Sequence, residues 1–439
     1  MLQYLAKAVG WVVLATAFIL LPITLTFTGE LPDGRGFWVD FAAVLGFIAL
    51  AVMALQFVLT GRFPRVGKPF GVDTLLYFHR QLGILGLFFV LGHVVIIVAA
   101  DPAYLAFLDP RVELPRALAL NTVLLALALL VATSVWRTRF ALSYEIWRLL
   151  HAGMAALVLF IGLAHLIMVD HFTATLPKKG IWVAVCLLAF AWLTYIRLIK
   201  PLRARRTPWR VATVERIAPE TWSLRLAAVD HGGLRFQAGH YAWLTLGKSP
   251  FSLQQHPFTI SSSPSNPREI EFTIKELGDF TSNIGSVEQG TRAFLEGPYG
   301  HFTLRAKAPA TVFVAGGIGV TPAISILRWM RDTRSRHFFY LFYAVEHEPD
   351  LAFREELDAL REQLNLRVIY VLESPPNGWT GETGMITTNL LARHLPEPDR
   401  RDYDYMTCGP NAMADAVGKS LQDFKIPLRR QRDERFDMV

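Results

Sequence analysis

At 439 residues the chain has room for about three domains. It is 52% hydrophobic, with 30 Phe and 11 Trp, and only 18% charged, below the roughly 25% of an average soluble protein; its mean hydropathy is +0.32 and its isoelectric point about 9.4. The net charge of +7 is not the signature of a nucleic-acid binder, because Lys and Arg cluster beside apolar stretches, where membrane topology and anionic lipid account for them. The two cysteines, Cys186 and Cys408, exclude a disulfide framework, a CxxCH haem attachment and an iron–sulfur cluster.

In chain order, six apolar stretches are each long enough to cross a bilayer, which takes about 20 helical residues. They fall near residues 8–28, 38–60, 75–99, 117–136, 145–168 and 180–199. The first is read as a retained span, since its apolar run exceeds that of a signal peptide. Arg62, Arg65 and Lys68 follow span two, and Arg137, Arg139 and Arg148 lie between spans four and five. The sixth span exits into Arg197, Lys200, Arg203, Arg205 and Arg206. The positive-inside rule then puts both termini and the second half in the cytoplasm, with Lys178 and Lys179 against the trend.

Two spans carry matched histidines. Span three reads HRQLGILGLFFVLGH from His79 to His93, and span five reads HAGMAALVLFIGLAH from His151 to His165. Fourteen residues at about 100° each return almost to the same helix face, about 21 Å along the axis. The two spans run in the same direction, so His79 pairs in depth with His151, and His93 with His165. Ionisable residues in hydrocarbon are costly without a purpose, and two facing imidazoles fill both axial positions of a haem iron. Zinc is a poor alternative, because it takes four ligands from Cys, His or carboxylate. Gly83, Gly86, Gly92, Gly153 and Gly162 would admit close helices and flat porphyrins. Arg80 is positioned for a haem propionate. Phe88, Phe89 and Phe160 lie between the levels, as gap fillers or, by preference, ordinary lipid-facing aromatics.

From about residue 208 to 305, short runs such as WRVATVERI, YAWLTLG and EIEFTIKEL are punctuated by Gly, Pro and Asn, a pattern that predicts a small antiparallel barrel. From about 309, strands alternate with helices and predict an open parallel sheet. TVFVAGGIGVTP ends a strand in glycines and enters a helix, the context in which backbone N–H groups cradle a pyrophosphate.

Taken together, these residues closely resemble the NADPH oxidase and ferric reductase family, prokaryotic type, over nearly the whole chain. The resemblance implies a six-helix transmembrane bundle over 1–204, an antiparallel β-barrel FAD domain over 205–306 and an α/β open-sheet NAD(P)-binding domain over 307–439. The flavin motif is matched by His256, Pro257, Phe258 and Thr259, followed by Ser261 and Ser262; Lys275, Gly278, Phe280 and Thr281 resemble the flavin-phosphate turn. GPYG at Gly297–Gly300 matches the end of the barrel. Gly316, Gly317, Gly319, Thr321 and Pro322 match the pyridine-nucleotide loop, and Cys408, Gly409 and Pro410 the motif beside the nicotinamide. Phe436, in the ending ERFDMV, matches the aromatic that covers the flavin in this superfamily, with a frayed tail as the alternative.

The implied route is NADPH or NADH, FAD, the His79/His151 haem b, the His93/His165 haem b, then an acceptor outside, either oxygen, giving superoxide, or a ferric chelate. Arg111 and Arg116 are candidates to line an anionic-acceptor site. A haem-free membrane anchor for a flavin reductase or sensor is the alternative reading. Glu346, after the strand HFFYLFYAV, stands where a basic residue would welcome a 2′-phosphate, so NADH joins NADPH as a candidate donor. No EF-hand loop is evident.

Overall fold

The structure, a computed structural model, describes residues 2–61, 72–305, 307–396 and 399–435. Arg62, Arg65, Lys68 and Phe436 therefore lie outside the described residues. The chain divides into two compact units, Met1–Ile199 and Lys200–Val439.

The first unit contains six helices long and apolar enough to span a membrane. They are α1 (Leu2–Thr26), α2 (Phe37–Leu59), α3 (Val72–Ala100), α4 (Leu114–Val135), α5 (Tyr144–Val169) and α6 (Leu176–Thr194). Local chemistry sets their ends. Pro115 and Pro177 open α4 and α6 in the first turn, where a missing N–H costs nothing. The Ser143 hydroxyl accepts from Ile146 N at 3.4 Å and caps α5, which closes on Asp170 in the left-handed region.

Helix α2 is the hub. Half of its most apolar stretch is buried, against 6% of that of α3 and 11% of that of α5. Ala42, Ala51 and Ala54 on α2 are fully buried, and Phe47, Leu50 and Phe57 pack with Leu159, Trp182, Val185 and Ala189. Trp182 donates from its indole N–H to Thr26 Oγ1 at 2.8 Å, joining α6 to α1. Lys178 and Lys179, the exceptions to the charge rule, have local duties: Lys178 donates to the Glu30 carbonyl at 3.1 Å, and Lys179 pairs with Asp170 at 2.9 Å.

The second unit holds two six-stranded sheets. The first, β1 (Trp209–Ala218), β2 (Thr221–Ala228), β3 (Tyr241–Leu246), β4 (His256–Thr259), β5 (Glu269–Lys275) and β6 (Arg292–Tyr299), is antiparallel in the order β4-β3-β6-β1-β2-β5. An isolated bridge between Ile260 and Phe272 brings the two edges together, so the sheet closes into the expected barrel around Leu224, Leu226, Leu244, Ile270 and Phe272. Pro257 sits on the edge strand β4, where its missing donor is tolerated.

The second sheet is parallel: β7 (Ala310–Gly316), β8 (Phe338–Val345), β9 (Leu366–Leu372), β10 (Glu382–Thr383), β11 (Asp404–Gly409) and β12 (Gln431–Arg435), in the order β10-β9-β8-β7-β11-β12. Helices α8 (Thr321–Asp332), α9 (Arg354–Gln363), α10 (Thr388–His394) and α11 (Asn411–Asp423) cover it, and a short α7 (Lys200–Ala204) precedes the barrel. All seven residues of β7 are buried, as expected of a strand covered on both faces. The strand order reverses between β7 and β11, the crevice where such sheets bind ligands.

Candidate functional site

In the membrane unit the four histidines form two pairs. The ring centres of His79 and His151 are 6.1 Å apart, and those of His93 and His165 are 6.3 Å apart. An imidazole nitrogen stands about 2 Å from a metal it ligates and about 1 Å from its own ring centre, so two rings clasping one ion sit about 6 Å apart. Both pairs have that spacing. Among the described residues, no group of three or more His, Cys, Asp or Glu side chains converges as a metal site.

Two further groups hold these rings, and sequence reading missed them. His93 Nδ1 is 2.8 Å from the Ala42 carbonyl, so it carries the proton and leaves Nε2 as the ligand nitrogen. His151 Nδ1 is 3.2 Å from Ser134 Oγ. Gln56 donates to the His79 carbonyl at 2.9 Å, while His79 Nδ1 is buried with no partner among the described residues. Trp147, one turn before His151, lies 5.1 Å from its ring. Ser134 and the Ala42 carbonyl are brought in by helix packing over 17 and 51 residues, so no local pattern announces them.

The glycines divide in a way the sequence did not indicate. A Cβ at Gly83 would meet Gln56, at Gly86 Val52, at Gly92 Leu45 and at Gly162 Leu50, each within 3.4 Å. These four let α3 and α5 approach α2. Of the five, only Gly153, two residues past His151, faces open space: a Cβ there would meet nothing within 4 Å. Phe88 and Phe160 each lie nine residues past a histidine, about 180° around the helix from it, and both are exposed, as lipid-facing side chains are. Val158, midway between His151 and His165, is instead buried with Met53, Val90 and Val123. Arg80 is exposed beside His79. Arg111 is exposed in a turn, and Arg116 is half-buried and pairs with Glu113 at 3.0 Å.

In the barrel, the two flavin motifs meet. The rings of His256 and Phe280 stack at 4.1 Å, and Phe258 stacks on Phe280 at 6.1 Å. Tyr241 on β3 pairs with Thr259 on one side and Tyr299 on the other, bringing HPFT and GPYG to one level. Tyr241 was not singled out in the sequence; its register between two motifs is what marks it. The Thr281 hydroxyl accepts from Leu277 N and Gly278 N at 2.8 and 2.9 Å and so holds its own turn. Lys275 closes β5 opposite Thr221.

Ser261 and Ser262 turn away from that level. Ser261 is fully buried and donates to the Glu271 carbonyl at 3.0 Å; Ser262 Oγ accepts from Glu271 N at 3.0 Å. Behind them, Arg328 on α8 donates to the Ser261 carbonyl at 3.0 Å and to Glu271 Oε1 at 2.7 Å, and clasps Glu356 at 2.7 and 2.8 Å. Burial alone would raise the Glu271 carboxyl, but the Arg328 guanidinium outweighs it and holds it below the usual range. This latch joins barrel and parallel sheet.

At the switch point the nucleotide loops touch. A Cβ at Gly409 would lie 3.1 Å from Gly316 Cα and N, and one at Gly316 would lie 2.9 Å from Pro410 Cδ. Gly317 has φ +54°, and a Cβ there would meet nothing within 4 Å. Gly319 is buried, Thr321 donates to the Ile318 carbonyl at 3.1 Å, and Pro322 occupies the first turn of α8. The helix N-terminus and open backbone are suited to a phosphate. Cys408 is fully buried in the core with Phe313 and Ala315, and burial pushes its thiol well above the usual range, so it offers no thiolate. Strand β12 runs parallel to β11 and sets Arg435 beside Gly409.

Three family models match in order along the chain: the ferric reductase like transmembrane component over 45–162, an FAD-binding domain over 208–303 and the oxidoreductase NAD-binding domain over 313–419. The chain has the domain architecture of the NADPH oxidase and ferric reductase family. This ferric-reductase-type chain is 34% identical over 165 residues to NADH-cytochrome b5 reductase 1 of Laccaria bicolor, covering 36% of this chain and 54% of that one. It is 31% identical over 237 residues to the reductase component of propane 2-monooxygenase from Mycolicibacterium smegmatis, covering 52% of this chain and 66% of that one. The matches thus span between about half and two thirds of these relatives. The cytochrome P450 reductase of Amycolatopsis aligns at 23% identity and a TM-score of 0.46, over 52% of this chain and 69% of that one.

Proposed function

We propose that this chain carries electrons from NADH or NADPH, through FAD, to two haems b in the membrane unit, and on to an acceptor at the far membrane face. The observation that carries this reading is the pair of ring separations, 6.1 and 6.3 Å, at two levels of one bundle. FAD takes up the two electrons of a hydride and releases them singly, and a haem with both axial positions filled relays one at a time.

The chain's own residues divide the work. His79 and His151 would hold one haem and His93 and His165 the other, with Ser134 and the Ala42 carbonyl fixing the tautomers. Gly153 leaves room beside the first pair, and Arg80 is available to a propionate. His256, Phe258, Thr259, Lys275, Gly278, Phe280 and Thr281 would receive the flavin, Gly316, Gly317 and the α8 N-terminus the pyrophosphate, and Phe436 would cover the flavin. Arg137, Arg139 and the basic run from Arg197 argue that the His79–His151 level and the second unit face the cytoplasm.

Glu346 follows β8 directly and is 68% exposed, suited to a ribose 2′-hydroxyl and opposed to a 2′-phosphate. Together with the NADH named for the Laccaria relative, it favours NADH. A kcat/KM comparison checks this; a strong NADPH preference contradicts it. The acceptor is either oxygen or a ferric chelate. Proteoliposomes given NADH on the cytoplasmic side test both. Superoxide dismutase-sensitive cytochrome c reduction identifies oxygen, and ferrous production without oxygen identifies the chelate. Dye reduction by the flavin with neither reaction overturns the transmembrane route.

A further inference from the structure

Helices α2 and α3 run antiparallel, and their facing residues meet at two depths. Ala42 on α2 meets His93. Gln56, fourteen residues further along α2, meets His79, fourteen residues before His93. At the first depth the ring reaches the backbone: His93 Nδ1 is 2.8 Å from the Ala42 carbonyl. At the second it does not: His79 Nδ1 is buried with no hydrogen-bond partner among the described residues. The difference lies one turn further along α2.

In an α-helix each carbonyl points at the N–H four positions on. Every Cα–Cβ bond leans back toward the helix N-terminus, so the side chain at that fourth position lies over the carbonyl and screens it from outside donors. Four residues after Ala42 stands Gly46, which has no side chain. A Cβ there would lie 3.1 Å from His93 Nδ1, 3.3 Å from its Cε1 and 3.4 Å from its Cγ. Making room for it would draw the ring away from the carbonyl. Four residues after Gln56 stands Thr60, whose hydroxyl donates to the Gln56 carbonyl at 3.4 Å. One carbonyl is thus open to the neighbouring helix and the other is covered. A glycine inside a helix destabilises it relative to alanine, and the His93 ring is what Gly46 admits in return.

We propose that Gly46 is a positioning residue for His93: it leaves the Ala42 carbonyl open, so that α2 holds the ring by Nδ1–H and keeps the reduction potential of the His93–His165 haem low. This rests on the haem reading proposed above. A carbonyl that accepts from Nδ1–H fixes Nε2 as the ligand nitrogen and makes the imidazole more basic. A more basic ligand favours the ferric over the ferrous ion, because the ferric ion carries the greater charge. A low potential at the level that meets the acceptor makes that level the stronger reductant.

Redox titration of the purified full-length protein, loaded with haem b, tests this, with His165→Ala assigning the two midpoints. Gly46→Ala raises the midpoint of the His93–His165 level by about 59 mV, a tenfold change in a one-electron equilibrium, or drives haem from that level, and leaves the other level in place. Gly92→Ala is the control: it adds a Cβ between the same two helices, 3.2 Å from the flexible end of Leu45, and leaves both midpoints in place. Equal shifts or equal haem loss in the two alanine variants overturn the proposal, since helix spacing alone would then explain them. Unchanged midpoints in Gly46→Ala with both haems retained overturn it as well. Nitrogen NMR of labelled histidine in the haem-free protein reads the bond itself: His93 is the Nδ1–H tautomer, and becomes a mixture of tautomers in Gly46→Ala. A native His93 without the Nδ1 proton overturns the proposal. Absence of low-spin haem from the native protein is a different result: it removes the haem reading and leaves the positioning of His93 to be decided by the NMR.

Discussion

The two units show function in opposite ways. In the second unit the chain supplies its own cover: every residue of β7 is buried, and the proposed nucleotide site is backbone, open at Gly317 beside the close approach of Gly409 to Gly316. In the membrane unit cover is uneven. Half of the α2 span is buried, while few residues of α3 and α5, which carry the four histidines, are fully buried. Lipid would cover part of that surface, and the proposed haems between α3 and α5 would cover more. The sites in one unit are therefore backbone gaps, and in the other they are spaced side chains.

The sharpest break of this contrast is His165→Ala. It is expected to abolish electron delivery to the far face while NADH-driven reduction of a soluble dye at the flavin persists. Loss of both activities would mean that the two units are not separable in this way. Next in size is Arg328→Met, which leaves the Glu271 carboxylate buried without its main partner and costs roughly 3 kcal/mol. Flavin release on heating reads that loss, and adding Glu271→Gln recovers part of it. The sign of the pH effect follows from the depressed Glu271 carboxyl. Its contribution is present above the ordinary glutamate value, about 4.3, and is lost as pH falls below it through the folded value. An acid midpoint unchanged in Glu271→Gln would show that the latch does not act this way.

A smaller effect is expected at Gly409. Its Cβ would press on Gly316 and on Met413 Cε at 2.6 Å. Gly409→Ala should raise KM for NADH about tenfold, near 1.4 kcal/mol, with flavin content unchanged. An effect of the same size is expected for Ser134→Ala, which removes one hydrogen bond to His151 and should weaken haem retention at that level by about tenfold. Equal loss from both levels would argue against an orienting role.

Much of this was legible in the sequence because it rests on local periodicity. The six spans, the fourteen-residue histidine spacing and the strand–glycine–helix turn are each contained in one element. What was not legible depends on packing between distant elements. Ser134 and the Ala42 carbonyl reach their histidines across 17 and 51 residues, and Arg328 finds Glu271 across 57. Ser261 and Ser262 lie in a flavin motif, yet their hydroxyls are committed to β5, because strand pairing decides which way a hydroxyl points. Gly83, Gly86, Gly92 and Gly162 read as clearance for close helices and porphyrins alike; they serve contact with α2, a distinction that spacing on a single helix does not contain.

The most direct measurement is a reduced-minus-oxidised absorption spectrum of the purified full-length protein after supply of haem. The account predicts low-spin, six-coordinate haem b at two per chain, falling to one in His165→Ala. A native preparation that binds FAD and oxidises NADH but shows no Soret band would contradict it.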